Sequence, residues 1–190
     1  MSENRPFWSS ARLALVLAAF ITVFANYTLF SKLLEWTQRS GTPVLYALSA
    51  VPVQFLLLAF FFSLLPAHRA FRPVMVFLLL VAALSAYFVD SYGVVIDREM
   101  LINSLETNRA EAAGLFSWRL LAYLGLLFIA PAFWLYRTQI RPQSGWKRLS
   151  GHMAQAGVSL AVMLALVFSM SSFWMSFLRE QKQIRVYSNP

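Results

Sequence analysis

The stretch "VLYALSAVPVQFLLLAFFFSLLPAHRAFRPVMVFLLLVAALSAYFV", residues 44–89, holds two uncharged apolar runs, Val44 to Leu65 and Val74 to Val89, parted by a short segment that carries Arg69 and Arg72. Such runs are near or above the roughly 17–25 residues that cross about 30 Å of hydrocarbon as a helix. Outward from this pair lie three more: Leu13 to Phe30, Leu120 to Tyr136 and Met153 to Leu178. The chain of 190 residues is 59% hydrophobic and only 13% charged, far from the balance of a soluble domain. The expectation is an all-α integral membrane protein with five transmembrane helices, over about 13–30, 44–65, 74–89, 120–136 and 153–178, and no room for a soluble domain of ordinary size.

The net charge of +8 does not point to nucleic acid, because lysine and arginine are dealt out in short loops without a continuous basic face. The absence of cysteine removes disulfide and thiolate chemistry. Arg5 and Arg12 precede the first run, and Val23 and Ala25 are small enough for a cleavage site, but the run is longer than a usual signal-peptide core and reads as a retained span. Five spans put the termini on opposite sides. With the N-terminus inside, the 16 basic residues divide evenly between the two sides, so their count decides nothing. Their density in short loops such as "YRTQIRPQSGWKR", residues 136–148, favours N-in, C-out. Pro43 and Pro73 stand at span starts, Pro52 and Pro131 fall inside spans and should kink them, and the segment at Pro66 should turn a tight hairpin. Trp8, Trp36, Tyr92, Trp118, Tyr136 and Trp146 sit near span ends, as an interfacial belt requires. The fifth run is long enough to tilt or to project beyond the bilayer.

Five of the eight acidic residues fall between Tyr87 and Ala112, in "YFVDSYGVVIDREMLINSLETNRAEA". The polar loop from Asp90 to Trp118 has helical composition after Asp97, with Met100, Leu101, Leu105 and Leu115 available to lie against lipid or the bundle. It reads as an interfacial helix between the third and fourth spans. On it, Asn103, Thr107 and Glu111 follow one another at steps of four, covering about 80° of one face and roughly 12 Å of its length. An amide, a hydroxyl and a carboxylate so placed suit a zwitterionic headgroup, the carboxylate for a primary ammonium and the donors for phosphate oxygens. The spacing equally allows a structural account: Thr107 or Asn108 as an N-cap, and Asn108 with Glu111 as a capping box.

The same stretch resembles the N-terminal membrane domain of the lipid A phosphoethanolamine transferases, the family of EptA and the mobile colistin-resistance enzymes. The family's Tyr-Gly, Asp, Met, Asn and Thr-x-x-x-Glu pattern stands here at Tyr92, Gly93, Asp97, Met100, Asn103, Thr107 and Glu111. "NYTLFSK" from Asn26 and "SFLREQKQIRVYSNP" at the end of the chain are also similar to the family, although Gln183 replaces a frequent proline. The resemblance implies a five-helix membrane domain joined to a periplasmic, zinc-dependent, sulfatase-like catalytic domain. It implies inner-membrane location in a Gram-negative bacterium with a periplasmic C-terminus. It also implies that Asn103, Thr107 and Glu111 bind the substrate headgroup, with phosphatidylethanolamine as donor and lipid A as acceptor.

The chemistry of transfer needs a metal-ligand cluster and an activated nucleophile. His68 and His152 both fall on the expected cytoplasmic side, away from the acidic loop, and read as interfacial residues. Thr107 lacks a neighbouring base. The chain is therefore expected to contain no catalytic or metal residues and no cofactor of its own, and to be the truncated membrane half of such an enzyme. Two other readings are a free-standing five-span scaffold or assembly protein, and a small transporter. The transporter ranks last, because no acidic or basic residue lies deep in any run and Asn26, Gln54 and Gln155 are only mildly polar.

Overall fold

The structure, a computed structural model, describes residues 7–65, 70–92, 117–140, 144–176 and 179, the side chain of Tyr92 excepted. The hairpin at Pro66, His68, the segment 93–116 and the tail from Glu180 lie outside the described residues. A short strand β1 (Phe7–Trp8) leads into α1 (Ser10–Phe24) and α2 (Tyr27–Ser40), then α3 (Val44–Leu48), α4 (Ala50–Ser63) and α5 (Phe71–Tyr92). After residue 116 come α6 (Trp118–Tyr123), a π-helical stretch (Leu124–Ile129) and α7 (Ala130–Arg137) as one continuous rod, then β2 (Gln139–Ile140) and α8 (Gly145–Ser169). Among the described residues four helices or helical rods are long and apolar enough to cross a membrane: Val44–Ser63, Phe71–Ser91, Trp118–Arg137 and Gly145–Ser169. The pair α1 and α2 makes a fifth when counted as one broken span, bent by 57°.

That break divides the run expected as one straight span over 13–30. Its first part, α1, has 15 apolar-rich residues. The second part, α2, carries exposed Lys32, Glu35 and Arg39 on one face and buries Leu33 and Thr37 on the other. A helix with such charges is built for the membrane interface, not for hydrocarbon. Hydropathy alone joined the two because Tyr27 to Phe30 is itself uncharged.

The core is made by stripes whose spacing is helical. In α1, Leu13, Ala14, Leu17, Ala18 and Ile21 are buried, an apolar face at steps of three and four. Ala14, Ala18 and the facing Ala59 of α4 are fully buried, and their small side chains let the two backbones approach, the usual way helices associate in lipid. α4 packs along α8 as well as α1, while α5 packs along the Trp118–Arg137 rod through Phe71, Met75, Leu79, Ala83, Ala86 and Tyr87. One core cluster joins Leu13 and Leu17 of α1, Phe62 of α4, Met75 and Leu79 of α5 and Leu135 of α7.

Pro131 explains the π-helical stretch. Its ring would strike the carbonyl four residues back and it has no N–H to give, so the helix widens and the Ala130 N–H reaches back five residues to the Gly125 carbonyl. The expected kink is thus absorbed as a bulge. α8 starts well before the expected Met153, because Lys147 and Arg148 at its exposed end can snorkel to water, and it turns at Met170. Residues 171–176 then place Phe173 against Tyr46 and Trp36.

The N-terminal end of the bundle is tied by parallel pairing of Phe7 with Gln139 and Trp8 with Ile140. Trp8 meets Trp134 edge to face at 6.0 Å. Here His152, expected as an interfacial residue, is instead buried at 3% exposure. Its Nδ1 lies 3.1 Å from the Ser63 carbonyl and its Nε2 lies 2.8 Å from Ser10 Oγ. A carbonyl can only accept, so Nδ1 carries the proton and Nε2 accepts from the serine. The Ser63 carbonyl is one of the last four of α4, which have no partner within their own helix. One imidazole therefore fastens α8 to α1 and α4. His152→Leu leaves that carbonyl bare and is expected to destabilise the bundle by about 1–3 kcal/mol, read as a lower thermal midpoint in nanodiscs with helix content unchanged below it.

Candidate functional site

At the opposite end of the bundle the polar residues converge on the bend between α1 and α2. Asn26 occupies the N-cap position of α2 but its side chain makes no cap bond. Instead Asn26 Nδ2 donates to the Ile21 carbonyl at 2.8 Å, closing the C-terminal end of α1, and its Oδ1 accepts from Gln54 Nε2 of α4 at 2.6 Å. The first backbone N–H groups of α2 are left to another helix. Asp90, in the last turn of α5, supplies the cap: its Oδ1 accepts from the Thr28 backbone N–H at 3.3 Å and from the Thr28 hydroxyl. A carboxylate at a helix N-terminus also meets the positive end of the helix dipole.

The other oxygen, Oδ2, accepts from the Tyr123 hydroxyl at 2.9 Å. Arg119 Nη2 donates to the Asp90 carbonyl at 3.1 Å, a cation at the C-terminal end of α5, and its guanidinium stands 5.9 Å from the Tyr123 ring centre. Ser117 starts α6 by accepting from the Leu120 N–H at 3.2 Å, and its Oγ lies 3.1 Å from the Tyr87 hydroxyl of α5. Asp90 thus belongs to a helix and joins α5 to α2 and α6, where the sequence reading had placed it at the start of a loop. What the sequence could have offered is one acid with Thr28 just after the bend and Tyr123 six residues past the Ser117 cap, too weak a signal to single out.

Beside this carboxylate lies a cavity of about 390 Å³, lined by Phe20 and Phe24 of α1, Tyr27 of α2, Asp90, and Ala122, Tyr123, Leu126 and Leu127 from the Trp118–Arg137 rod. The volume falls in the range of small-molecule sites, about 300–1,000 Å³. Its walls are apolar except for the carboxylate and the two phenols. Phe24, Tyr27 and Leu126 are exposed, so the cavity opens sideways, toward where lipid would lie. Two features shape it: the 57° bend swings α2 away from the axis of α1, and the π-helical stretch widens the facing wall.

The profile of the family described as phosphoethanolamine transferase EptA/EptB matches residues 54–190. The chain belongs to this transferase family. It is 31% identical over 174 residues to the phosphatidylethanolamine transferase Mcr-1 of Escherichia coli, covering 91% of this chain and 32% of that protein. It is 29% identical over 174 residues to the phosphoethanolamine transferase EptA of Escherichia coli O157:H7, covering 90% and 32%. The fold superposes with a TM-score of 0.86 on the integral membrane lipooligosaccharide phosphoethanolamine transferase A (EptA) from Neisseria meningitidis, at 22% identity, covering 97% of this chain and 35% of that one. At that identity the superposition speaks for the fold alone. The chain spans about a third of the length of the transferases it matches.

The family resemblance read from the sequence is therefore borne out. Of the residues it singled out, Asn103, Thr107 and Glu111 lie outside the described residues. His152 is at the far end of the bundle from Asp90, clamped between helices. Among the described residues no group of three or more His, Cys, Asp or Glu could hold a metal. Removing the Asp90 side chain should loosen the bend: Asp90→Ala strands the Thr28 N–H and the Tyr123 hydroxyl, an expected loss of about 1–3 kcal/mol seen as a lower thermal midpoint, with Thr28→Val costing less because the backbone bond survives.

Proposed function

We propose that this chain is the membrane domain of a phosphoethanolamine transferase that moves phosphoethanolamine from phosphatidylethanolamine to lipid A, and that it anchors the enzyme and helps hold the donor headgroup. The observation that supports this reading is the match of nearly the whole chain to about a third of proteins named as transferases of this group. In the intact enzyme the donor would pass phosphoethanolamine to a catalytic threonine and then to the acceptor, in a periplasmic domain whose zinc activates the nucleophile. That domain is what the family resemblance implies.

The orientation proposed is N-in, C-out in the inner membrane of a Gram-negative bacterium. Arg12, Arg72, Arg137, Lys147 and Arg148 gather at the end of the bundle that carries β1, while Glu35 and Asp90 stand at the other end with Lys32, Arg39 and Arg119. The density of basic residues in the short loops at this end favours the cytoplasm. The bend, the interfacial α2 and the segment 93–116 then face the periplasm, where a catalytic domain would work. Bound to that segment, Glu111 would meet the ammonium of the donor, and Asn103 and Thr107 would position its phosphate.

In the full-length enzyme, Glu111→Ala is expected to lower transfer from phosphatidylethanolamine about tenfold, the loss of one charge-assisted contact, with the circular dichroism of the protein unchanged. Transfer at the parent rate would remove Glu111 from the donor site.

A further inference from the structure

The Asp90 carboxylate does more than a cap requires. A carboxylate can accept about four hydrogen bonds. Oδ1 takes two from Thr28 and Oδ2 takes one from Tyr123, so among the described residues one acceptor position on Oδ2 is unused. Those three donors are neutral, and among the described residues no lysine or arginine forms an ion pair with the carboxylate. A half-buried carboxylate that forms no ion pair among the described residues, at the wall of an apolar cavity, is complementary to a ligand that brings a positive charge on an apolar body. Arg119 adds the opposite partner. Its side chain is exposed and spends one donor on the Asp90 carbonyl, leaving guanidinium N–H groups within the same corner for an anion.

We infer that this cavity is a second, lateral lipid seat, taking one acyl chain of an aminophospholipid between Phe20, Phe24, Leu126 and Leu127, with its ammonium on Asp90 Oδ2 and its phosphate toward Arg119. The occupant is an aminophospholipid because the site offers a cation acceptor, an anion donor and an apolar slot open to the bilayer. The inference rests on the proposed use of phosphatidylethanolamine for the lipid class, but its place and its contacts are independent of Asn103, Thr107 and Glu111. The seat lies beside the last turn of α5, the end from which the sequence runs on into the acidic segment.

The test is native mass spectrometry of the chain in detergent with equimolar dioleoyl-phosphatidylethanolamine and dioleoyl-phosphatidylcholine. These share acyl chains, but the quaternary amine cannot donate a hydrogen bond to a carboxylate. The parent chain is expected to retain the primary amine about fivefold better, the worth of one charge-assisted contact partly screened at the interface. Asp90→Asn keeps an oxygen for the Thr28 N–H and so keeps the cap, yet should bring the ratio to about one. Ala122→Trp fills the slot and should lower retention of both lipids, while millimolar O-phosphoethanolamine, a headgroup without chains, should displace neither. Glu111→Ala separates the two proposals: a parent-like ratio in that variant with a lost ratio in Asp90→Asn upholds the lateral seat alone. If Asp90→Asn keeps the selectivity of the parent, or Ala122→Trp keeps its lipids, the seat is not there; if the soluble headgroup competes, the chain slot is not part of it.

Discussion

A backbone N–H or carbonyl at a helix end inside a bilayer finds no water, so a bundle whose helices bend or stop near hydrocarbon must close those ends from within. Here neighbours close them. Asp90 of α5 caps the start of α2, and Arg119 bonds the Asp90 carbonyl at the end of α5. At the other end of the bundle, Arg72 donates to the Thr138 carbonyl that ends α7 at 2.6 Å, and His152 of α8 donates to the Ser63 carbonyl that ends α4. The charges fall as the helix dipoles ask, an anion at an N-terminus and cations at C-termini. Each of these bonds runs between helices distant in sequence, so each also sets how two helices meet.

The bend at Asn26 follows from the same constraint. The chain leaves α1, and Asn26 turns back to satisfy the Ile21 carbonyl and hold Gln54, which frees the N-terminus of α2 for Asp90. A straight helix through this point would carry Lys32 and Glu35 out beyond the roughly 30 Å of hydrocarbon. Bending instead lays α2 at the interface and opens the space that Phe20, Phe24 and Tyr27 share with the widened wall at Leu126 and Leu127. Pro131 widens that wall by removing one hydrogen-bond donor from the helix interior. A cavity with a fixed carboxylate is thus the joint product of one amide, one acid and one proline, none of which touches either of the others in sequence.

The parts legible before the structure were those encoded locally. Apolar runs and their breaks are sums over neighbouring residues, which is why Val44 to Leu65 and Leu120 to Tyr136 were readable as membrane helices. The family resemblance carried by Tyr92, Gly93, Asp97 and Met100 was readable for the same reason, and the family profile matches residues 54–190. Asn103, Thr107 and Glu111 rest on that pattern, outside the described residues. Illegible were the helix ends. Asp90 looked like the first residue of a polar loop because a charge ordinarily closes an apolar run; it remains in α5 because Thr28, Tyr123 and Arg119 hold it. His152 looked interfacial because it follows a basic segment, and it is buried because Ser10 and Ser63 give its two nitrogens complementary partners.

By itself, then, the sequence determined that the chain is a helical membrane protein of the phosphoethanolamine transferase family, since hydropathy and motif spacing are properties of contiguous residues. Only the tertiary structure decided where the first span breaks, which acid faces a cavity and which histidine fastens the far end. Those depend on hydrogen bonds between residues 62, 33, 142 and 89 positions apart, and no local pattern specifies which distant donor will meet which orphaned acceptor.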